Sequence, residues 1–334
     1  MRTRIIVVAL LVATLCGCGS FSLPSSGDRA QSTPLRIAFV PMHQFDVYWK
    51  TVHAGAVKAE RERGVKVIWQ GPVTANARAD EIDIVDNMVG TLPAALVVGP
   101  VDFKALTGPV RNARNANIPV IIIDSPLAGD DYQGYVGTDN YAGGVSGGEH
   151  LAKLLNGRGN VAILRGVEGT ASTDAREKGF LDAIAKYPGI KVVSQNTRGG
   201  ENAETARAAA ENILAPLRRS DGTYAIDGVF ASMESLTYGM MLALDNARLT
   251  GKVKFVGFDF SQQLVRGLEE GKIDALVTQN PVELGYRSVI AAIDAAAGKP
   301  VKKVDYIPTV IVTTANLREP EVWTRVNPDL SSVK

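Results

Sequence analysis

The sequence predicts an α/β protein built from two doubly wound parallel sheets. Short apolar runs recur along the chain from residue 35, and a segment with helical periodicity follows almost every one of them. Near-continuous apolar strands of this kind are typical of parallel sheets that helices cover on both faces. The runs number about ten, more than one open sheet comfortably holds, so we expect two sheets and two similar lobes.

The first series of elements precedes a glycine-rich stretch at residues 134–148. Its predicted strands are 35–40 (LRIAFV), 65–70 (VKVIWQ), 94–98 (AALVV) and 119–124 (PVIIID). Its predicted helices cover residues 48–63, 77–90 and 103–115. Gly64 ends the first helix, because glycine readily adopts the left-handed conformation that terminates helices.

The second series follows the glycine-rich stretch, which we predict to be the first crossing between the lobes. Its predicted strands are 160–164 (NVAIL), 191–194 (KVVS), 228–231 (GVFA), 254–258 (KFVGF) and 275–278 (ALVT). Its predicted helices cover residues 175–187, 203–217, 237–247 and 262–270.

The N-terminus predicts export from the cytoplasm. Two arginines precede the apolar run 5–15, and the segment closes on Leu-Cys-Gly-Cys. This pattern is typical of a secretory signal peptide, here residues 1–17. The closing tetrapeptide resembles a bacterial lipobox, which makes Cys18 the acylated residue and the protein a membrane-anchored lipoprotein. An ordinary signal peptide or an uncleaved anchor is the alternative.

Composition predicts a linker after the signal peptide and argues against several kinds of site. Residues 18–33 are rich in Ser, Gly and Pro, which predicts a flexible linker rather than a folded extension. The chain has 2 cysteines, Cys16 and Cys18, so the domain beyond them has no disulfide and no thiolate metal site. A formal net charge of +1 without basic clusters argues against nucleic-acid binding.

Polar and aromatic side chains, together with Met233, follow the predicted strands, where ligands bind in doubly wound sheets. They are Asp46, Tyr48, Trp49, Asp124, Ser125, Arg176, Met233, Asp259 and Gln279. Carboxylate and guanidinium groups hold neighbouring hydroxyls in two-point fashion, and aromatic rings cover C–H faces. We therefore predict a site for a small polyhydroxylated ligand.

Four of these residues also have an interpretation without a ligand. Tyr48 and Trp49 open a helix, where aromatic residues often belong to the core. Asp124 is in a position where aspartate commonly stabilises a turn. Arg176 has acidic neighbours such as Asp174, with which it can pair on an exposed helix surface.

Enzyme motifs are lacking in the sequence. The chain contains no P-loop and no G-x-S-x-G elbow, and its 3 histidines lack metal-ligand spacing. The glycine-rich stretch does not follow the first strand as a dinucleotide-binding loop does. We predict a binding protein that uses no cofactor and no metal.

Several segments together resemble a known family. They are IAFVP, YWKTVHAGAVKAERERGVKV, NIPVIIIDS, VGTDNYAGG, GVEGTASTDAREKGF, VFASMESLTYGM, FVGFDFS and ALVTQNPVELG, in that order. Over residues 35–313 the chain resembles the periplasmic sugar-binding proteins of ABC importers, of the ribose-binding type (type I periplasmic binding proteins). The resemblance implies two Rossmann-like lobes joined by a three-segment hinge, with a ligand cleft between them.

The resemblance also implies a domain organisation and a biological role. The N-terminal lobe is expected at 34–139 plus 282–308, the C-terminal lobe at 140–281 plus 309–316, and a tail at 317–334. The tail either packs across the hinge or extends freely. The expected role of this extracytoplasmic monomer is to capture a monosaccharide or sugar-like polyol and deliver it to an ABC permease with a cytoplasmic ATPase. The alternative is a receptor that feeds a chemotaxis or two-component sensor.

Site roles follow from the resemblance residue by residue. Tyr48 and Trp49 match an aromatic pair that sandwiches the sugar ring. The polar ligands of the family match Asp46, Asp124, Arg176, Asp259 and Gln279.

The chain departs from the family pattern at several positions. Ser125 stands where the family has Arg, Met233 where it has Asn, and Met42 where it has a small polar residue. The stretch 197–201, where a second-lobe aromatic is expected, contains none. These changes predict a ligand larger or less hydroxylated than ribose.

Overall fold

The computed structural model describes residues 34–44, 47–73, 77–168, 170–200 and 202–333. The predicted signal peptide at 1–17, the linker at 18–33 with Cys18, and the candidate ligand residue Asp46 lie outside the described residues. The described part of the chain from Pro34 onward forms one compact unit that contains two six-stranded sheets.

The first sheet is entirely parallel, with strand order β11-β5-β4-β3-β1-β2. Its strands are β1 (Arg36–Val40), β2 (Lys66–Trp69), β3 (Ala95–Val98), β4 (Val120–Ile123), β5 (Gly134–Thr138) and β11 (Val304–Ile307). Its helices are α1 (Val47–Arg63), α2 (Arg78–Gly90), α3 (Thr107–Asn115) and α9 (Pro281–Ala296). Every residue of β3 and β4 is buried between two apolar clusters, one on each face, which explains their uninterrupted apolar sequence.

The second sheet repeats this arrangement, with strand order β12-β10-β9-β8-β6-β7 and an antiparallel β12 at its edge. Its strands are β6 (Arg158–Leu164), β7 (Gly189–Ser194), β8 (Gly228–Ala231), β9 (Lys254–Phe258), β10 (Ala275–Thr278) and β12 (Val310–Val312). Its helices are α4 (Asn140–Leu154), α5 (Ala171–Ile184), α6 (Ala203–Leu214), α7 (Glu234–Asn246), α8 (Gln262–Glu269) and α10 (Pro320–Val326). The predicted fold class, two doubly wound lobes, is confirmed.

The glycine-rich stretch contains regular structure that the sequence analysis did not predict. It forms β5 and most of α4, although glycine disfavours both elements. The reason is close packing, since a Cβ on Gly144 would lie 1.9 Å from the carbonyl oxygen of Arg176. Gly179 lies as tightly against α4, so these glycines bring α4 and α5 together.

Within its described residues, the chain passes between the sheets three times, at neighbouring points. The passages are Asp139 between β5 and α4, residues 279–280 between β10 and α9, and residues 308–309 between β11 and β12. The amide of Asp139 donates to the carbonyl of Ile307 at 3.4 Å, and the Thr278 hydroxyl donates to that of Val310 at 3.1 Å. These bonds hold the three crossings together as one hinge.

The C-terminal segment packs on the second lobe. Leu317, Val322 and Val326 are buried in the same apolar cluster as α6, α7 and α8, which anchors α10. Among the described residues, none of the helices combines the length and the apolar character needed to span a membrane.

Candidate ligand-binding site

Two aspartates occupy equivalent positions in the two lobes. Asp124 directly follows β4 and Asp259 directly follows β9, the strands next to β5 and β10 respectively. Both have left-handed backbone conformations, with φ of 60° and 69°. Such a conformation costs a non-glycine residue about 1–2 kcal/mol, although aspartate tolerates it better than most. Strained residues of this kind cluster at functional sites.

In the first lobe, the Asp124 carboxylate is part of a hydrogen-bonded group. The Tyr48 hydroxyl donates to its Oδ1 at 2.5 Å, and the Ser125 hydroxyl lies 3.5 Å from its Oδ2. The Tyr135 hydroxyl donates to the backbone carbonyl of Asp124 at 2.7 Å. The strained turn after β4 is therefore fixed from both its side chain and its backbone.

Charged groups of both lobes act on the Tyr48 hydroxyl. Burial raises the pKa of Tyr48 well above its ordinary value, and the neighbouring Asp124 carboxylate raises this pKa further. Asp259 of the second lobe also raises it, while Arg176 lowers it. The hydroxyl therefore remains a hydrogen-bond donor at any physiological pH. These influences indicate that the polar groups of both lobes converge near one point.

In the second lobe, Asp259 is held by a cation and an amide. The Gln279 amide donates to its Oδ1 at 2.7 Å, and Nη1 of Arg176 lies 3.4 Å from its Oδ2. Arg176 is only 4% exposed, and its guanidinium lies 4.0 Å from the centre of the Phe258 ring. The alternative of an exposed arginine that pairs with Asp174 is therefore wrong.

Groups outside the predicted set hold Arg176 in place. Its Nε donates to Oδ1 of Asn140 at 2.8 Å, and its Nη1 donates to the carbonyl of Ser232 at 3.1 Å. Sequence reasoning missed Asn140, Ser232 and Phe258. Their positions in the sequence could have indicated them. Asn140 follows a crossing, Ser232 directly follows β8, and Phe258 directly precedes Asp259.

Met233 lies next to this group, at the N-terminus of α7. It is half-buried against the apolar core of the second lobe and has an extended backbone. Its position directly after Ser232 puts an apolar side chain where the strands of the second sheet end.

The two predicted aromatic residues have different surroundings. Trp49 is 2% exposed in the core of the first lobe, which agrees with the core interpretation of this residue. Its ring packs against Gly99, where a Cβ would lie 2.6 Å from the indole. Tyr48 is half-buried and contacts Trp49 edge-on, with ring centroids 5.6 Å apart. Trp49 therefore supports Tyr48 from beneath.

The buried acid Glu177 stabilises the loop that follows β6. Glu177 is fully buried and accepts from Nε of Arg165 at 2.5 Å and from the amide of Gly166 at 2.6 Å. The Ser232 hydroxyl donates to the same carboxylate at 3.0 Å. These contacts link α5, which carries Arg176, to the end of β8.

The chemistry of the site is that of hydroxyl recognition. Two carboxylates accept hydrogen bonds, and a guanidinium, an amide and a phenol donate them. In the part of the chain that the structure describes, no three His, Cys, Asp or Glu side chains are grouped to hold a metal ion.

A family model for the periplasmic binding protein domain matches residues 37–300. The chain belongs to the periplasmic binding protein family. Among curated members, the D-ribose/D-allose-binding protein of Pseudomonas aeruginosa is 29% identical over 299 residues, covering 87% of this chain and 91% of that protein. The xylitol-binding protein of Mycolicibacterium smegmatis is 28% identical over 278 residues, covering 83% and 75%.

Solved structures of periplasmic binding proteins are also similar to this chain. A carbohydrate transporter solute-binding protein from Agrobacterium radiobacter, in complex with D-arabinose, has a TM-score of 0.79 and 31% identity. The match covers 89% of this chain and 100% of that one. A solute-binding protein of Actinobacillus succinogenes with bound D-allose has a TM-score of 0.77 and 28% identity, covering 84% and 98%. The resemblance to the ribose type of periplasmic sugar-binding protein is confirmed.

Proposed function

We propose that this protein is an extracytoplasmic solute-binding lipoprotein that captures a monosaccharide or sugar-like polyol between its lobes and delivers it to an ABC permease. One observation carries the binding site. The Tyr48 hydroxyl donates to Asp124 of the first lobe at 2.5 Å, and Asp259 of the second lobe also raises the pKa of Tyr48, so hydroxyl-binding groups of the two lobes face a common space. The proposed lobes are 34–139 plus 282–308 and 140–281 plus 309–316.

The ligand class follows from the polar groups at this space. Asp124 and Asp259 accept hydrogen bonds from hydroxyls, and Arg176 and Gln279 donate to sugar oxygens. Tyr48 covers one C–H face of the ligand, with Trp49 packed behind it. Relatives that bind D-ribose or D-allose, D-arabinose and xylitol support a sugar or a polyol.

The departures from the ribose type bear on the size of the ligand. Ser125 stands in place of a longer polar residue of the ribose type, which enlarges the space, and Met233 stands in place of Asn, which replaces a polar side chain with an apolar one. Met42 is half-buried at the end of β1 and adds apolar surface. We expect a hexose or a less hydroxylated analogue to bind more tightly than ribose, with Asp46 as a further polar contact.

Transport follows from closure of the lobes over the ligand. A ligand that contacts both lobes binds the closed form more tightly and so shifts the population toward it. The closed form is the one presented to the permease and its cytoplasmic ATPase, and the ligand leaves chemically unchanged. A lipid on Cys18 holds the monomer at the membrane during this exchange.

A thermal-shift screen tests the binding proposal. The chain from Gly19 onward is melted with pentoses, hexoses, polyols and autoinducer-type furanoses. A ligand present at about one hundred times its Kd adds roughly 2.7 kcal/mol of stability, which raises the Tm visibly. The same ligand should leave the Tm of the Asp124→Asn, Asp259→Asn double variant unchanged. If no compound of the panel raised the Tm, the proposed sugar class would be contradicted.

The lipid anchor has a separate test. Intact-mass measurement of the chain extracted from membranes should give the mass of a polypeptide that begins at Cys18 and carries acyl chains. A Cys18→Ser variant should lack this mass and leave the membrane fraction. A membrane-free wild-type chain without acyl mass would contradict the anchor but not the ligand site.

A further inference from the structure

One hydrogen bond joins the two lobes beside the ligand site. Thr138 is the last residue of β5 in the first lobe, and Gln279 follows β10 in the second. The Thr138 hydroxyl lies 2.6 Å from Oε1 of Gln279, and both residues are only 5% exposed. The bond therefore spans the first two crossings of the hinge, out of contact with water.

The direction of this bond is fixed by Asp259. A carboxylate only accepts, so Gln279 must turn its Nε2 toward Asp259, where the distance is 2.7 Å. This orientation turns Oε1 toward Thr138, and the threonine hydroxyl must donate to it. The amide of Gln279 is thereby held between a group of the first lobe and a carboxylate of the second.

The other side of the first crossing provides a natural comparison. Asn140 begins α4 in the second lobe and accepts from Nε of Arg176 at 2.8 Å. Asp259 has two partners, Arg176 and Gln279, and each is therefore oriented by a residue that flanks Asp139 in the sequence. Asn140 orients Arg176 within one lobe, whereas Thr138 orients Gln279 across the two.

We propose that Thr138 is a positioning residue whose hydroxyl couples the angle between the lobes to the orientation of Gln279 on Asp259. Rotation at the hinge moves Thr138 relative to Gln279, because they follow strands of different sheets. At the angle between the lobes seen in this structure, removal of the Thr138 hydroxyl leaves Oε1 of Gln279 buried without its donor, which lowers the stability of this arrangement. The cost falls away when the lobes open and water reaches the amide.

The test compares three variants of the chain from Gly19 onward, which contains the whole compact unit from Pro34. Thr138→Val keeps the shape and removes the hydroxyl, Thr138→Ser keeps the hydroxyl, and Asn140→Ala removes the contact within one lobe. Titration calorimetry with the tightest ligand of the panel gives Kd. Small-angle X-ray scattering of the unliganded protein gives the radius of gyration.

The coupling predicts a specific pattern. Thr138→Val should raise Kd about tenfold and enlarge the unliganded molecule, while Thr138→Ser stays within about twofold of wild type in Kd. Asn140→Ala should raise Kd without changing the radius of gyration. Should Thr138→Val fold poorly, as judged by circular dichroism, Thr138→Ala replaces it.

Two results would overturn the inference. Equal losses in Thr138→Val and Thr138→Ser would show that packing matters and the hydroxyl does not. Wild-type scattering and Kd in Thr138→Val would show that no coupling exists. The inference rests on the proposed function, but the scattering of the unliganded protein needs no ligand. If the wild-type chain binds no sugar, the proposed function fails and scattering still decides the inference.

Discussion

The two halves of the site share one backbone design but use different side-chain chemistry. Asp124 and Asp259 each follow an equivalent strand in a left-handed conformation. Asp124 accepts a hydrogen bond from the neutral phenol of Tyr48, whereas Asp259 is held by the Arg176 guanidinium and the Gln279 amide.

This difference predicts which substitutions lower only the affinity for the ligand and which also lower the stability of the fold. The second-lobe half is a buried ion pair within a network, so loss of either Arg176 or Asp259 leaves a charge without its partner. In the first-lobe half, Asp124 accepts from the neutral phenol of Tyr48, so loss of this contact removes a hydrogen bond and not an ion pair. We therefore expect second-lobe substitutions to reduce both stability and affinity, and first-lobe substitutions to reduce mainly affinity.

Loss of Arg176 should have the largest effect on affinity. Arg176→Met removes the cation at Asp259 and a donor to the ligand, so we expect Kd to rise more than about a hundredfold and the free energy of unfolding to fall by about 3–5 kcal/mol. Titration calorimetry and urea denaturation measure the two. Arg165→Met, which breaks the Glu177 pair in the same lobe, is the matched control and should lose stability with a smaller change in Kd.

The two aspartates allow the comparison to be tested with one chemical change. Asp124→Asn should raise Kd by about ten- to a hundredfold and leave the unfolding free energy within about 1 kcal/mol of wild type. Asp259→Asn should raise Kd similarly and also destabilise the fold, since it removes the negative partner of buried Arg176. Equal stability of the two variants in urea would remove the distinction between the lobes.

Tyr48→Phe should have a more modest effect, because it removes one hydroxyl and keeps the ring. We expect Kd to rise about tenfold, as measured by calorimetry. Because the pKa of Tyr48 lies well above its ordinary value of 10.0, ionisation of this phenol should not weaken wild-type binding between about pH 7 and pH 9. A loss of affinity over that range in wild type, absent from Tyr48→Phe, would contradict the buried hydroxyl.

The smallest effect on affinity is expected at a buried acid of the first lobe that the ligand site does not use. Glu81 is fully buried on α2 and accepts from the amide of Val101 at 3.0 Å. Burial raises the pKa of Glu81 from 4.5 to about 8, against the opposing effect of the Val101 N–H. Between these values the folded protein holds a proton that the unfolded chain releases, so stability falls as pH rises from about 4.5 to about 8.

Glu81→Gln keeps the shape of this side chain and removes the titration. The variant should lack this part of the fall in stability, a difference on the order of a few kcal/mol at pH 8, while its Kd remains within about twofold of wild type. Urea denaturation at several pH values checks this. Parallel pH profiles for the two proteins would mean that Glu81 does not carry the proton.

Strand periodicity and the strand-end rule predicted much of the molecule. Buried parallel strands such as β3 and β4 were apparent in the sequence, because both of their faces are covered and their sequences are continuously apolar. The rule that ligands bind at the carboxyl ends of strands pointed to Asp124 and Asp259, which directly follow β4 and β9. Of the two elements missed in the glycine-rich stretch, β5 and α4, the helix depends on close tertiary packing that local propensity does not report.

The contacts around the site were less predictable. Whether Trp49 is core or surface depends on the glycine opposite it, at position 99, which is distant in sequence. Arg176 contacts Asp259 across 83 residues, a pairing that local sequence does not reveal. Thr138 and Gln279 are separated by 141 residues and meet only because the crossings lie side by side.

A crystal structure of the chain with the tightest ligand of the screen would show whether both lobes hold the ligand. We expect a single ligand between the lobes, with hydroxyl oxygens within about 3.2 Å of both the Asp124 and the Asp259 carboxylates. A ligand that contacts one lobe alone, or that lies away from both aspartates, would contradict this expectation.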